Sequence, residues 1–288
     1  MRSTQRLAGL SAERRAITVP GTPNAMFARV IEDLGYEVVY VTGAGFANMH
    51  LGAPDIGLTT LTEVAGAVSA IADAVELPIV VDGDTGFGNA LNMVRTVRVL
   101  ERAGAAGIQI EDQVFPKRCG HFDGKAVVST SEMVAKIRAA VDARHDHSLQ
   151  IIARTDARAI EGLDAAIDRA QSYIEAGADM TFVEAPRSTQ ELARIAHELS
   201  VPQMANIVFG GKTPDPGRAV LAQQGFGLVL YANAALQAAL RASREVLESL
   251  RDTGSLDAVA DRLAGFEERQ AAVAKDHWDA LDTRYRID

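Results

Sequence analysis

The 288-residue chain has a single cysteine, Cys119, so no disulfide can form within it. A lone thiol with no staple to make fits a reducing compartment, and the expected location is the cytoplasm. Positive charge is also short: 29 Lys and Arg face 38 Asp and Glu, a formal net charge of −9. Such a chain lacks the basic footprint that nucleic-acid phosphates require, and an anionic substrate must be met by a local cation cluster or a metal. No apolar run reaches the roughly 18 residues of a membrane span. The polar stretch Met1 to Leu10 lacks the apolar centre of a signal peptide. Aromatics are few at 5%, within an otherwise ordinary 48% hydrophobic and 23% charged composition, as in a folded soluble protein.

What is present is a repeat. A helical pattern ends in Gly, a short β-branched run follows, and polar residues close it. Gly35 precedes Val38 to Val41, Gly104 precedes Gly107 to Ile110, Gly177 precedes Met180 to Val183, and Gly225 precedes Gly227 to Tyr231. Glycine just past a helix takes the left-handed conformation without penalty and turns the chain into a strand. Further strand-like runs are Ile17 to Val19, Ile79 to Val81, Gln150 to Ala153 and Gln203 to Ala205, which makes eight. Helical patterns fill 61–75, 90–103, 130–143, 163–176 and 188–199. Eight apolar strands alternating with helices predict a parallel sheet closed into one (β/α)₈ barrel, a single domain over 1–288.

In such a barrel the site lies where the strands end. Those ends carry Thr42-Gly43-Ala44, Asp82-Gly83-Asp84, Glu111-Asp112, Arg154, Glu184 and Asn206. Carboxylates converging on one ring repel unless a cation holds them, and an oxygen-only donor set points to Mg²⁺ or Mn²⁺ rather than zinc. The segment Val114 to Lys125 is long for a strand-to-helix loop, and long loops tend to be functional. Within it Lys117 and Arg118 precede Cys119, and His121 follows; neighbouring cations favour the thiolate. Gly120 and Gly124 would let such a loop fold over a ligand.

The run Lys117-Arg118-Cys119-Gly120-His121 resembles the signature loop of the isocitrate lyase/phosphoenolpyruvate mutase superfamily. Ordered blocks extend the resemblance over about 17–285: Tyr40 to Ala44, Leu51 to Asp55, Val81 to Gly88, Ile110 to Gln113, Ile152 to Ala157 and Phe182 to Ala185. The resemblance implies a barrel whose C-terminal helical segment, 232–288, is swapped between paired subunits in a homo-tetramer. It also implies a Mg²⁺-dependent carbon–carbon lyase acting on a small di- or tricarboxylate, with no nucleic-acid or membrane partner. By the same resemblance Asp82 holds the metal, directly or through water, with Asp55, Asp84 and Glu111 around it. Arg154 can clamp a carboxylate in two-armed fashion. The N–H groups of Thr42, Gly43 and Ala44 can hold another. Cys119 protonates the leaving fragment, and His121 and Glu184 are candidates to orient that proton. Tyr40, Lys117, Arg118, Gly120 and Asn206 complete the expected substrate-binding set.

Cys119 separates the branches, because phosphonomutases proper and oxaloacetate decarboxylases of the superfamily lack it. The run Asn206 to Pro214 is similar to the branch holding dimethylmalate lyases and petal death proteins. Val208 and Phe266 are expected where methylisocitrate lyases place Thr and Arg for a third carboxylate, and Phe209 stands where a Glu is usual. Burying a carboxylate against apolar groups costs several kcal/mol, so a 2-alkylmalate such as 2,3-dimethylmalate is the expected substrate. Methylisocitrate cleavage, a carboxyphosphonoenolpyruvate-type phosphonomutase, an oxaloacetate hydrolase and a metabolite-binding barrel without turnover are the alternatives.

Overall fold

The computed structural model describes residues 1–118, 120 and 124–287. Cys119 and His121 lie outside the described residues. The strands are β1 (Ile17–Thr22), β2 (Val39–Val41), β3 (Ile79–Asp82), β4 (Gly107–Glu111), β5 (Gln150–Thr155), β6 (Met180–Val183), β7 (Met204–Asn206) and β8 (Leu228–Tyr231). They pair in parallel in the order β6-β5-β4-β3-β2-β1-β8-β7, and a parallel bridge from Thr181 to Gln203 joins the two ends. The sheet is a (β/α)₈ barrel.

Helices α1 (Ser3–Ala12) and α2 (Ala25–Asp33) flank β1, and the short α3 (Gly43–Phe46) follows β2. Helices α4 (Leu61–Ala72), α5 (Ala90–Arg102), α6 (Thr130–Ala143), α7 (Leu163–Glu175), α8 (Thr189–Glu198) and α9 (Arg218–Gln224) form the outer layer. The chain ends in α10 (Ala234–Thr253), a 3₁₀ segment over Asp257–Arg262, α11 (Phe266–Ala272) and α12 (Lys275–Tyr285).

Local chemistry explains these boundaries. Asn24 accepts from Phe27 N, Asn89 from Leu91 N and Asn92 N, Ser129 from Glu132 N, and Ser188 from Glu191 N. Thr60 and Glu63 form a reciprocal capping box at α4. Each such cap stabilises its helix by about 1 kcal/mol. At the other ends Gly35, Gly104, Gly177 and Gly225 all have positive φ, between 78° and 109°, as the repeat predicts.

Alternation along each strand divides the core in two. Val39, Val41, Ile79, Val81, Ile108, Ile110 and Ile151 pack outward against buried faces of the helices, such as Val68, Met93 and Ile137. Val19, Tyr40, Val80, Ile152, Met180, Phe182, Met204 and Leu228 cluster together inside the barrel. Helix α1, which the sequence reading treated only as a polar N-terminus, adds Leu7 and Leu10 to that inner cluster. Leu7 sits so close to β4 that a Cβ on Gly107 would come within 2.8 Å of it. Among the described residues, no helix is long and apolar enough to cross a membrane.

A candidate active site at the barrel mouth

The same alternation that turns Val80 and Ile152 inward turns Asp82, Glu111 and Arg154 inward at the strand ends. Register places Glu111 directly beside Arg154 on β4 and β5. A small cleft of about 40 Å³ opens there, lined by Tyr40, Thr42, Ala44, Asp55 and Asp82 on one side. Gly120, Arg154, Glu184, Asn206 and Val208 line the other.

Arg154 organises the right-hand side of this ring. Its Nε lies 2.9 Å from Asp156 Oδ2, its Nη1 3.3 Å from Glu111 Oε2, and its Nη2 3.4 Å from Glu184 Oε2. The guanidinium also stands over the Phe182 ring, 5.2 Å from its centroid. Burial works against this charge, but Asp156, Glu111 and Glu184 outweigh it and hold the guanidinium protonated more firmly than usual. Asn206 Nδ2 donates to Glu184 Oε2 at 3.4 Å.

On the other side Lys117, nearly inaccessible at 3% exposed, sits between Asp55 Oδ1 (2.5 Å) and Asp84 Oδ1 (2.7 Å). Desolvation opposes its charge, yet Asp84, Asp82, Glu111 and Asp55 together push its pKa upward. The carboxylates feel the converse. Burial raises Asp84 to about 6, with Lys117 opposing and Asp82 and Asp55 adding to the rise. Burial also pushes Glu111 well above the usual carboxyl range, against Arg154 and Lys117. Asp84 holds a left-handed backbone, φ 48°, which short acidic side chains tolerate better than most.

Asp82 occupies the centre. Its Oδ2 accepts from Gly43 N (3.3 Å) and its Oδ1 from Asp84 N (3.1 Å) and Gln109 Nε2 (3.4 Å). Tyr40 OH donates to Gln109 Oε1 at 2.6 Å, so a polar strut runs from β2 through β4 to the β3 carboxylate. Gly43 is required there, since a Cβ would lie 2.8 Å from Asp82 Oδ2. Of the three N–H groups expected to hold a substrate carboxylate, Thr42 N donates to Thr22 O, and Gly43 N is taken by Asp82.

The residues fit a hard cation by their chemistry. The donors are all oxygen, and Glu111 Oε1 and Asn206 Oδ1 are buried with no partner among the described residues. Among the described residues, though, no three acidic or His side chains converge as a ready-made metal cluster, and Lys117 stands between Asp55 and Asp84.

Several sequence expectations are redistributed. Arg118 lies on the exposed edge of the loop, where Gln113 grips its backbone N–H and carbonyl at 2.8 Å each. Phe266 is 65% exposed on α11 and Phe209 is 88% exposed, so neither lines the cleft within the chain. Val208 alone of the three apolar positions does. It also borders a second, apolar cavity of about 240 Å³ with Ile207, Phe209 and Tyr231.

Sequence reasoning missed the roles of Gln109, Lys125 and Asp156, and it placed Asp112 with the strand-end carboxylates of the site. Gln109 shares the inward face with Gly107 and Glu111, a spacing of two that could have flagged it. Asp112 turns away from the cleft and accepts from Thr155 Oγ1 and Tyr173 OH (2.7 Å each) and from Asp156 N (2.9 Å).

Comparison with known proteins agrees with this architecture. The family model described as phosphoenolpyruvate phosphomutase matches residues 7–251. The chain belongs to that family. It is an enzyme of the isocitrate lyase/phosphoenolpyruvate mutase superfamily, in its lyase class. It is 42% identical over 268 residues to the 2,3-dimethylmalate lyase of Eubacterium barkeri, covering 93% of each chain. It is 45% identical to the 2-methylisocitrate lyase of Aeropyrum pernix, covering 88% of this chain and 82% of that one. Among solved structures, a 2,3-dimethylmalate lyase superposes with TM-score 0.93 at 31% identity, covering 99% and 95%. A phosphonopyruvate hydrolase bound to oxalate and Mg²⁺ superposes with TM-score 0.88 at 30% identity, covering 99% of each.

Proposed function

We propose that this enzyme is a Mg²⁺-dependent lyase that cleaves the C2–C3 bond of a 2-alkylmalate such as 2,3-dimethylmalate. The observation that carries this reading is the cleft itself. A buried arginine and a ring of carboxylates line it, while Val208 also borders a separate, mostly apolar cavity of about 240 Å³ that includes Asn233 and Gln237. The identity to a dimethylmalate lyase supports it.

The chemistry divides among the residues as follows. Arg154, oriented by Asp156, binds a substrate carboxylate. Asp82, with Asp55, Asp84 and Glu111 around it, would hold Mg²⁺. When bound there, Mg²⁺ would supply Lewis acidity that favours ionisation of the substrate hydroxyl. The C2 hydroxyl gives up its proton to a carboxylate of the ring around Asp82, the C2–C3 bond breaks, and C2 becomes the keto carbon of pyruvate. C3 is left as the enediolate of a propionate, which takes up one proton. Cys119 donates that proton, with His121 and Glu184 orienting it.

Cleavage of methylisocitrate is the second reading, favoured by the identity to the Aeropyrum protein. With Phe266 outside the cleft, exclusion of a third carboxylate rests on Val208 and the apolar cavity beside it. The decisive experiment follows keto-acid release from 2,3-dimethylmalate, methylisocitrate and oxaloacetate with and without Mg²⁺, alongside phosphorus NMR on carboxyphosphonoenolpyruvate. We expect dimethylmalate to give the highest kcat/KM, with activity lost in excess chelator. A tenfold preference for methylisocitrate, or turnover only of the phosphonate, would overturn the reading.

The helical tail is read as the swapped segment of a homo-tetramer. Helices α10, α11 and α12 bury none of their residues, leaving Leu240, Leu247 and Trp278 each 61% exposed. A patch of this kind on a well-packed barrel calls for a partner surface. Light scattering should give four chains. A chain cut after Asn233 that still assembled into tetramers would remove the tail from the interface.

A further inference from the structure

The mechanism above uses Arg154 and Lys117 but leaves a third buried cation without a task. Lys125 keeps only 2% of its side chain exposed, and its Nζ lies 2.6 Å from Asp156 Oδ1. The same ammonium donates to the carbonyl of Gly120 at 2.5 Å. Burying an ammonium is costly unless it is paired and hydrogen-bonded, so a lysine here needs a reason beyond packing.

The surroundings supply one. Lys125 stands at the fixed foot of the long loop, where Val114 N donates to Ala126 O and Val128 N to Asp112 O, both at 2.8 Å. Its acceptor Asp156 is equally fixed: the backbone N–H is held by Asp112 Oδ1 and the carboxylate grips Arg154 through Nε and Nη2. Gly120 lines the cleft and presses on the same arginine. A Cβ there would collide with Arg154 Nη2 and lie 2.7 Å from Glu184 Cδ. Only a long side chain with several donors can span a carboxylate and a carbonyl at once, and lysine has three.

We propose that Lys125 is a positioning residue: its ammonium ties the Gly120 carbonyl to the Asp156 carboxylate and thereby fixes the cleft-lining Gly120 peptide against the Arg154 guanidinium. Gly120 is the residue that follows Cys119 in sequence. The activity arm of the test rests on the lyase reading. The binding arm does not.

The test uses the full-length protein and Lys125→Met, which keeps length and removes the donors, and Lys125→Arg, which restores charge and donors. Lys136→Met serves as the matched control, since Lys136 is a buried lysine on α6 that donates to Thr85 O outside the cleft. A misplacement of about 1 Å in a positioned group can cost about 100-fold in rate, so Lys125→Met should lower kcat by about 30- to 100-fold. KM should change by less than about threefold, and affinity for oxalate with Mg²⁺, measured by calorimetry, should fall by about tenfold. Lys125→Arg should recover a large part of both losses. Lys136→Met should lower the melting temperature while keeping kcat and oxalate affinity.

Equal kcat and oxalate affinity in Lys125→Met and the parent would overturn the proposal. So would an equal kcat loss in Lys136→Met, or no recovery in Lys125→Arg with a melting temperature matching Lys125→Met. Should none of the candidate acids be cleaved while oxalate binding still depends on Lys125, the positioning role stands and the lyase reading falls.

Discussion

The barrel interior contains two regions built by the same strands and opposite in character. Toward the bottom, Leu7, Val19, Val80, Ile152 and Met204 belong to one buried apolar cluster, the plug of the barrel. One or two steps further along those strands, Asp82, Glu111, Arg154, Glu184 and Asn206 meet in a ring of buried charge. The lower region stabilises by removing apolar surface from water, about 1.5–3 kcal/mol for each large side chain. The upper region gains little net stability from its ion pairs, because desolvation offsets most of their attraction. What the mouth retains is charge poised for a ligand, and the plug beneath it supplies the rigidity that keeps such charges apart.

Breaking the mouth should therefore show first in activity. Arg154→Met removes the cation shared by Glu111, Asp156 and Glu184, and kcat/KM should fall by about 10²–10³-fold, the usual loss for a single electrostatic group in an active site. The melting temperature should fall as well, because three buried carboxylates lose a shared cation. Cys119→Ala should lower kcat by about 10²–10⁴-fold, the usual contribution of a general acid, with an unchanged melting temperature. A Cys119→Ala protein with parental turnover would remove the thiol from the mechanism.

Breaking the plug should do the reverse. Ile152→Ala, at a fully buried position, should cost about 2–5 kcal/mol in urea unfolding while KM for the cleaved acid stays within about twofold. Comparable losses of activity and stability would mean that the two regions are not separable.

The border between them is the Tyr40–Gln109–Asp82 strut. Gln109→Leu should cost about 1–2 kcal/mol by orphaning the Tyr40 hydroxyl, and should weaken Mg²⁺ binding as Asp82 loses a donor. Unaltered Mg²⁺ affinity in calorimetry would make the strut structural only.

The smallest effect concerns pH. Burial raises the Asp84 carboxyl to about 6, so the metal-free fold binds that proton more tightly than the unfolded chain does. Stability from this group is present below its unfolded value and is lost as pH rises through about 6. Asp84→Asn should accordingly raise the melting temperature of chelated protein at about pH 7.5, with the gain shrinking through about 6 and gone below about pH 4. A gain constant across that range would assign the effect to something other than Asp84 ionisation.

Much of this was legible in the linear chain. Gly35, Gly104, Gly177 and Gly225 announced helix ends, and the β-branched runs after them are strands. Asp82, Arg154, Glu184 and Asn206 follow those runs and do line one cleft. Gln109 was hidden because it sits inside an apolar run and reads as part of it; only the inward face of β4 separates it from Ile108 and Ile110. Phe266 does not line the cleft of its own chain, for another reason. Position in an alignment does not say where a C-terminal helix lies, and in this chain α11 packs against α2 with Phe266 exposed.

The sequence by itself determined the period of the elements, the identity of the strand-end residues and the chemistry of the loop around Cys119. These are local properties, set by backbone propensity and by which side chains stand next to one another. Tertiary structure alone decided that Lys117 would stand between Asp55 and Asp84, that Lys125 would join Gly120 to Asp156, and that Leu7 would close the barrel floor. Each of those depends on barrel closure, which brings together residues from separate strands and loops whose distance no spacing along the chain encodes.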